Sequence, residues 1–209
     1  AKMANAIVCE VLEFVRPIRL QVDRTDLWRV VEDAIPLAER KVARRDGTSI
    51  PLMLAWPVSD RASWDRLCEE RLRADDIVRR LGGERAAIRA SLAAARGPVG
   101  LLGDPVGFFG SLRFLLGEVN LFLAYYDQPD LLRDMIDWLC DLWLALCEEL
   151  LPLADWDAAF FWEDMSGCQG SLVSPAVFRE FMLPAYRRLI GFLRQHGVRN
   201  LLVDTDGRV

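Results

Sequence analysis

One segment of the chain, residues 158–175 with the sequence AAFFWEDMSGCQGSLVSP, restricts the possible folds more than any other. It opens with an apolar run at residues 158–162, which has the length of a buried strand, and two adjacent acids follow, Glu163 and Asp164. A loop with two glycines comes next, and a Ser-Pro pair then supplies the hydroxyl N-cap and first-turn proline typical of a helix start. This order is that of a β/α unit in a parallel α/β protein, where the carboxyl ends of the strands hold the chemistry.

The same order recurs on both sides of this segment and gives three strand-then-helix periods. The predicted strands are residues 99–102, 158–162 and 201–203. The predicted helices are residues 108–116, 117–126, 129–151, 175–181 and 184–196. The longest of them has an apolar stripe at helical spacing, with charged residues on its other face. Such periods predict parallel strands joined by right-handed crossovers.

The first half of the chain is less regular. Its predicted helices are residues 4–15, 26–35, 59–72 and 84–95. Between them, Asp46-Gly47 is a hairpin-turn signal that separates short runs at residues 39–45 and 49–55. We therefore expect a single α/β domain over residues 1–209, with a hairpin and helical part at residues 1–97 and three β/α units at residues 98–209.

Composition excludes several classes of protein. With 52% apolar and 27% charged residues the chain is globular, and its net charge of −5 with scattered basic residues argues against a nucleic-acid partner. The sequence has no run of about 18 uncharged apolar residues, so it predicts no membrane span. The five cysteines form no CxxC pair, which indicates reduced thiols in the cytoplasm, and the single His196 excludes a multi-histidine metal site.

Acidic residues follow two of the predicted strands. Glu163 and Asp164 come after one, and Asp204 and Asp206 lie at the end of the next. Because parallel neighbours end at the same edge of a sheet, we expect these four to be the catalytic carboxylates. Clustered carboxylates raise one another's pKa and serve as proton donors or hold a hard divalent cation, for which the ligands would be Glu163, Asp204 and Asp206. The alternative is that they cap helices or lie in water at loop tips.

Alternation along a strand narrows this expectation. Within Asp204-Thr205-Asp206 only the first and third side chains can point alike. We therefore expect Asp204 and at least one of Glu163 and Asp164 to line one cavity near Arg113. Such a cluster would bind a divalent cation or hold one carboxyl protonated near neutral pH.

Substrate-binding residues are expected in GFFGSLRFLLG, the segment after the first strand of the three periods. Arg113 is the single cation of this apolar helix and could hold a substrate carboxylate through two hydrogen bonds. Gly107, Phe108 and Phe109 would form the wall of the pocket. The alternatives are an ion pair between Arg113 and a neighbouring acid, and a place in the core for the two phenylalanines.

Five segments in order resemble the uroporphyrinogen decarboxylase superfamily. They are PLMLAWPVSDRASWDRL, GDPVGFFGSLRFLLG, YYDQPDLLRDMID, FFWEDMSGCQGSLVSPAVFREFMLPAYRRL and VDTDG. The resemblance covers residues 50–209, and its most specific part is the spacing SP-x-x-F-x-x-F-x-x-P-x-Y at residues 174–186. It implies a (β/α)8 TIM barrel, which this chain fills in part, since a complete barrel has about 250 residues. We expect the barrel to be incomplete at one or both ends.

The sequence also departs from this superfamily. The arginine-rich substrate loop and the catalytic aspartate motif of the decarboxylase are missing from residues 1–36. The decarboxylase has a tyrosine where this chain has Arg113 and a serine where it has Asp164. The corrinoid-linked methyltransferases have a His-x-Cys pair of zinc ligands where this chain has Asp204-Thr205-Asp206. The resemblance thus points to an unassigned, methyltransferase-like branch.

Three functional hypotheses follow. The first is a decarboxylase-like barrel enzyme acting on a carboxylated or methylated small molecule through its strand-end carboxylates. The second is a methyltransferase component that works with a corrinoid on a partner protein. The third is a non-catalytic or truncated member, whose open sheet edges would pair with another chain, as in a homodimer.

Overall fold

A computed structural model describes residues 40–43, 49–52, 55–103, 105–167, 169–205 and 207. The helices predicted at residues 4–15 and 26–35 lie outside these ranges, as does Asp206. Over the described residues the chain is a mixed α/β protein, mostly helical, with a small parallel sheet.

Two short strands near the start form an antiparallel hairpin. β1 (Arg40–Ala43) pairs with β2 (Ser49–Leu52), so that Arg40 lies opposite Leu52 and Ala43 opposite Ser49. The predicted hairpin is therefore confirmed, whereas its turn at residues 44–48 lies outside the described residues.

Two helices precede the parallel sheet. α1 (Arg61–Glu70) begins with a capping box, in which the Asp60 carboxylate accepts the Ser63 N–H at 2.8 Å and the Ser63 hydroxyl accepts the Asp60 N–H at 3.0 Å. α2 (Ala74–Ala93) begins ten residues before the helix predicted at residues 84–95. The predicted start was wrong because Gly82-Gly83 resembles a helix break, yet the backbone continues through both glycines and α2 packs against the long helix Pro129–Leu150.

The central sheet has three parallel strands in the order β3-β4-β7. They are β3 (Gly100–Leu102), β4 (Ala158–Trp162) and β7 (Asn200–Asp204), and each pairs with the next along the chain. The register sets Leu102 beside Phe160 and Trp162 beside Asp204. The predicted parallel arrangement is confirmed, and the two helical connections between the three strands return the chain to the same end of the sheet each time.

Three consecutive helices follow β3. They are α3 (Phe108–Leu116), α4 (Glu118–Asp127) and α5 (Pro129–Leu150). The predicted apolar stripe of α5 is confirmed, because its members from Leu132 to Leu150 are buried in the core, apart from Leu146, which is partly buried and packs against it. A 3-10 turn (Leu151–Leu153) then leads into β4.

The connection from β4 to β7 contains a hairpin and one long helical run. β5 (Ser166–Gly167) and β6 (Gly170–Ser171) form a short antiparallel hairpin inside the glycine loop, which the sequence did not predict. α6 (Pro175–Val177), a π-helical turn (Phe178–Met182) and α7 (Leu183–Gln195) then follow without a break. The break expected before Pro184 is absent, since the wide π turn accommodates a residue that lacks an N–H.

The termini of this helical run follow the predicted signals. The Ser174 hydroxyl accepts the Val177 N–H at 3.2 Å, and Gly197 after α7 has a φ of +90°. As for membranes, no single helix in the described part of the chain is long and apolar enough for a crossing. Taken together, α3 and α4 are long and apolar enough for a crossing, and the chain bends by 105° between them.

Candidate functional site

Glu163 is the buried centre of the carboxyl edge of the sheet. Its side chain is 0% exposed, and its carboxylate accepts the N–H groups of Phe108 at 2.7 Å, Phe109 at 2.7 Å and Gly110 at 3.2 Å. The Tyr186 hydroxyl on α7 donates to the same carboxylate oxygen as Phe108. Four donors therefore converge on the two oxygens, which is the arrangement that satisfies an ionised carboxylate.

These amides are the first three of α3, so Glu163 caps that helix from a neighbouring strand. The residue at the N-cap position is Gly107, which has no side chain to bond the exposed amides. The carboxylate of Glu163 takes that place and also meets the positive end of the helix dipole. The sequence alternative in which a strand-end acid caps a helix therefore describes Glu163.

Two glycines let α3 approach the end of β4 this closely. A Cβ on Gly107 would overlap the carbonyl oxygen of Trp162, and one on Gly110 would lie 2.5 Å from the same oxygen. Gly107 therefore contributes close backbone contact at the end of the strand.

Phe108 and Phe109, expected as a pocket wall, have side chains that are 0% exposed. The Phe108 ring lies 4.7 Å from the rings of both Trp143 and Tyr186, between centroids. Their rings belong to the hydrophobic core, the second interpretation of the sequence, while their backbone amides take part in the site.

Burial decides the protonation of Glu163. It raises the pKa of this carboxyl to about 7, against the opposing effect of the amides of Gly110, Phe108 and Phe109. The raised pKa thus comes from removal of water and not from the predicted repulsion among clustered carboxylates. Nearby, burial and then the charge of Glu163 raise the pKa of Tyr125, whose hydroxyl has no hydrogen-bond partner among the described residues.

Asp164, the next residue, points in another direction and forms an ion pair with Arg113. One terminal nitrogen of Arg113 also lies 3.4 Å from the Asp164 carbonyl oxygen and 3.5 Å from the Glu118 carboxylate. The guanidinium covers the Trp162 ring, 5.4 Å from its centroid. About a fifth of each side chain remains exposed, 21% for Arg113 and 18% for Asp164, so solvent reaches part of the pair.

The backbone is strained where the strands end. Asp164 has a φ of +45° and Leu102, the last residue of β3, has a φ of +70°. Left-handed backbone costs roughly 1–2 kcal/mol for a residue with a Cβ, and aspartate tolerates it better than leucine. Two such residues lie at the ends of neighbouring strands, so the backbone strain is concentrated at this edge of the sheet.

β7 completes the edge. The Asp204 carbonyl oxygen accepts the N–H groups of both Glu163 and Asp164 at 3.1 Å, and the hydroxyls of Thr205 and Ser166 lie 2.6 Å apart. Glu163, Asp164 and Asp204 thus lie at the same edge of the sheet, with the first buried and the second paired to Arg113. Asp206 belongs to the residues that are not described.

Asp206, one of the three ligands expected for a divalent cation together with Glu163 and Asp204, lies outside the described residues. None of their His, Cys, Asp and Glu side chains form a group of three that could hold a metal ion. At Glu163 the reason is physical, because its oxygens already accept four donors and face the positive end of a helix.

Sequence reasoning missed the aromatic residues of the site. Tyr186 was part of the spacing that carried the resemblance, but its hydroxyl was not recognised as a partner for Glu163. A signal was present, since Tyr186 lies on the same apolar face of α7 as Leu189 and Leu193, and a buried hydroxyl on such a face needs a partner.

Chemically, the edge offers a partly exposed guanidinium beside a carboxylate, next to an aromatic ring and above a rigid buried cap. Such a group can bind an anion, and the neighbouring carboxylate can accept or donate a proton.

No protein-family model, no curated protein and no solved structure matches this chain.

Proposed function

We propose that this chain is a cytoplasmic enzyme of the uroporphyrinogen decarboxylase superfamily, with a partial (β/α)8 TIM barrel, which acts on a carboxylated small molecule. The observation that carries the proposal is the Arg113–Asp164 pair at the carboxyl edge of the parallel sheet. This is the edge at which parallel α/β enzymes hold their catalytic groups. The five segments that resemble the superfamily contribute Arg113, Asp164 and Tyr186 to it.

Each residue then has a role that its surroundings support. Arg113 is the anchor for a substrate carboxylate, since its guanidinium offers five donors and is partly exposed. Asp164 is the acid–base residue, because loss of CO2 leaves a carbanion and the Asp164 carboxylate can pass it a proton taken up from water. The left-handed backbone of Asp164 and Leu102 is in keeping with a functional site, where strain of this kind concentrates.

The first experiment tests the resemblance. The 209-residue chain is incubated with uroporphyrinogen, and coproporphyrinogen is measured. We expect little or no decarboxylation, because residues 1–36 lack the arginine-rich loop and the catalytic aspartate motif of the decarboxylase. Coproporphyrinogen forming at the rate of an authentic decarboxylase would overturn this reading of the departures.

The second experiment tests the anchor. Binding of acetate, succinate and citrate is measured by calorimetry for the parent protein, Arg113→Gln and the control Arg188→Gln. Arg188 also pairs with acids, Asp137 and Asp141, but on the outer face of α7. We expect Arg113→Gln to weaken binding at least tenfold and Arg188→Gln to leave it unchanged. Equal loss in both variants would remove Arg113 from the site.

A second candidate function is methyl transfer with a corrinoid partner protein. Its motivation is the resemblance at the end of β7, where Asp204-Thr205 stands at the position of the methyltransferase zinc motif but supplies carboxylate chemistry in place of His-x-Cys. The described free cysteines do not supply a thiolate there, because burial raises the pKa of Cys68 and Cys147 to about 12 and of Cys140 to about 11. Metal analysis separates the candidates, since stoichiometric zinc would favour methyl transfer over a carboxylate mechanism.

A further inference from the structure

The two adjacent acids after β4 hold α3 at two different points. Glu163 bonds the amides of Phe108 to Gly110 at the start of the helix. Asp164 bonds Arg113, which lies in the second turn of α3. Consecutive residues can do this because Asp164 has left-handed backbone, which directs its side chain away from the interior.

Glu163 and Asp164 are each held by neighbouring elements of the fold. The Asp204 carbonyl oxygen of β7 accepts the N–H groups of both acids at 3.1 Å, so their backbone is fixed to the sheet. Tyr186 of α7 donates to Glu163 from below. Neither Gly107 nor Gly110 has a side chain, so α3 rests directly on the Trp162 backbone and ring. A small displacement of the helix start would therefore move Arg113 relative to Asp164.

We propose that Glu163 and Asp164 form a two-point clamp on α3, in which Glu163 is a positioning residue that sets where Arg113 meets Asp164. Glu163 itself is fully buried and cannot touch a substrate. Its effect passes through the helix, because residues 108–113 form less than two turns of α3. The positioning role rests on the proposed function of Arg113, whereas the clamp can be tested without any ligand.

The test is a double-mutant cycle in the ligand-free protein. Unfolding equilibrium constants are measured for the parent, Glu163→Gln, Arg113→Gln and the double variant. A clamp predicts that the double variant loses less than the product of the two single losses, by about threefold or more. The control cycle pairs Glu163→Gln with Arg61→Gln, which removes an ion pair between α1 and α5 and should give the simple product. If the loss in the double variant of Glu163→Gln and Arg113→Gln also stays within threefold of the product of the two single losses, the clamp is overturned.

A spectroscopic readout separates positioning from general stabilisation. The Nε–Hε NMR signal of Arg113, assigned by its loss in Arg113→Gln, should shift in Glu163→Gln. If Glu163→Gln does not fold, the same Arg113 signal is measured in Tyr186→Phe, which removes one of the four donors to Glu163. Its control is Tyr125→Phe, which removes a hydroxyl without a partner among the described residues. We expect a shift in Tyr186→Phe and none in Tyr125→Phe, and an unchanged signal in both would contradict the proposal.

The two proposals fail in different ways. If the cycle is non-additive but no carboxylate binds, the clamp stands and the proposed function falls. If carboxylates bind through Arg113 but the cycle is additive, the function stands and Glu163 is a core residue without a positioning role.

Discussion

At the scale of single residues, Glu163 combines full burial with four hydrogen-bond donors. The donors stabilise the charge, while removal from water penalises it, and the second effect is the larger because the pKa rises to about 7. The charge of this one side chain therefore links folding to pH.

The first prediction concerns that link. The folded-state pKa of Glu163 lies above its ordinary value of 4.5, so the folded protein binds more protons between these two values. The free energy of unfolding should fall as the pH rises from about 4.5 to about 7, by up to about 3 kcal/mol, and level off above. Urea denaturation at pH 5, 6, 7 and 8 measures it.

Two variants test whether Glu163 is the source of this change of the free energy of unfolding with pH. Glu163→Gln should lose this pH dependence, because the side-chain amide does not titrate between pH 5 and pH 8. Glu148→Gln, an exposed carboxyl on α5, should keep the parent slope. A Glu163→Gln protein with the parent slope would exclude Glu163 as its source.

The second prediction compares two buried tyrosine hydroxyls. Tyr186 donates to Glu163, whereas the Tyr125 hydroxyl has no partner among the described residues. Tyr186→Phe should lower the free energy of unfolding by about 1–3 kcal/mol, because it removes a hydrogen bond to a charged group. Tyr125→Phe should be neutral or slightly stabilising, since it removes an unsatisfied buried group. Similar losses in both, by chemical denaturation, would contradict the assignment.

At the scale of elements, the position of α3 depends on close contact with the end of β4. Gly110 lies against the Trp162 ring and carbonyl, and an added Cβ would come within 2.5 Å of both. Backbone and a packed ring cannot yield as a flexible side chain does, so the helix itself would have to shift.

The third prediction follows from this contact. Gly110→Ala should lower the free energy of unfolding by about 2–3 kcal/mol, despite the better helix propensity of alanine. Gly191→Ala in α7 is the matched control, because its Cβ would meet nothing within 4 Å, and it should stabilise by up to about 1 kcal/mol. Thermal or urea unfolding of both variants provides the comparison, and equal effects would show that α3 does not press on β4.

At the scale of the whole molecule, the helices cover one face of the sheet more fully than the other. Ala159 and Phe161 of β4 are fully buried in the core, while Phe160 and Trp162, which alternate with them, are half-buried on the opposite face. β7 is an edge strand of the sheet that the described residues form, and its Leu202 and Val203 are 50% and 55% exposed and point to opposite faces. Strands of parallel sheets are normally apolar because both faces are covered.

The fourth prediction concerns self-association at this edge. An apolar edge strand with both faces exposed favours pairing with another chain, so we expect the protein to form dimers or larger species. Val203→Lys should shift sedimentation velocity profiles toward monomer. Leu123→Lys on α4, where the side chain is equally exposed at 55%, should leave them unchanged. A parent protein that sediments as a clean monomer would exclude association through β7.

The sequence by itself determined the local elements of this protein. Periodicity and capping residues predicted β4, α3, the stripe of α5 and the Ser174 cap, because these depend on neighbours a few residues apart. The strand-then-helix order also predicted the parallel sheet. Of the candidate site, the sequence indicated the acids after β4 and the arginine of α3.

Only the tertiary structure decided what those residues do. Glu163 and Asp164 are adjacent, yet one is buried as a helix cap and the other is paired with Arg113, and both outcomes depend on contacts with residues more than 50 positions away. The early start of α2 reflects packing against another helix, which outweighs the local break signal, and the unbroken run through Pro184 depends on the wide π turn before it. Spacing along the chain specifies which elements form, whereas the burial of a charge depends on which elements surround it.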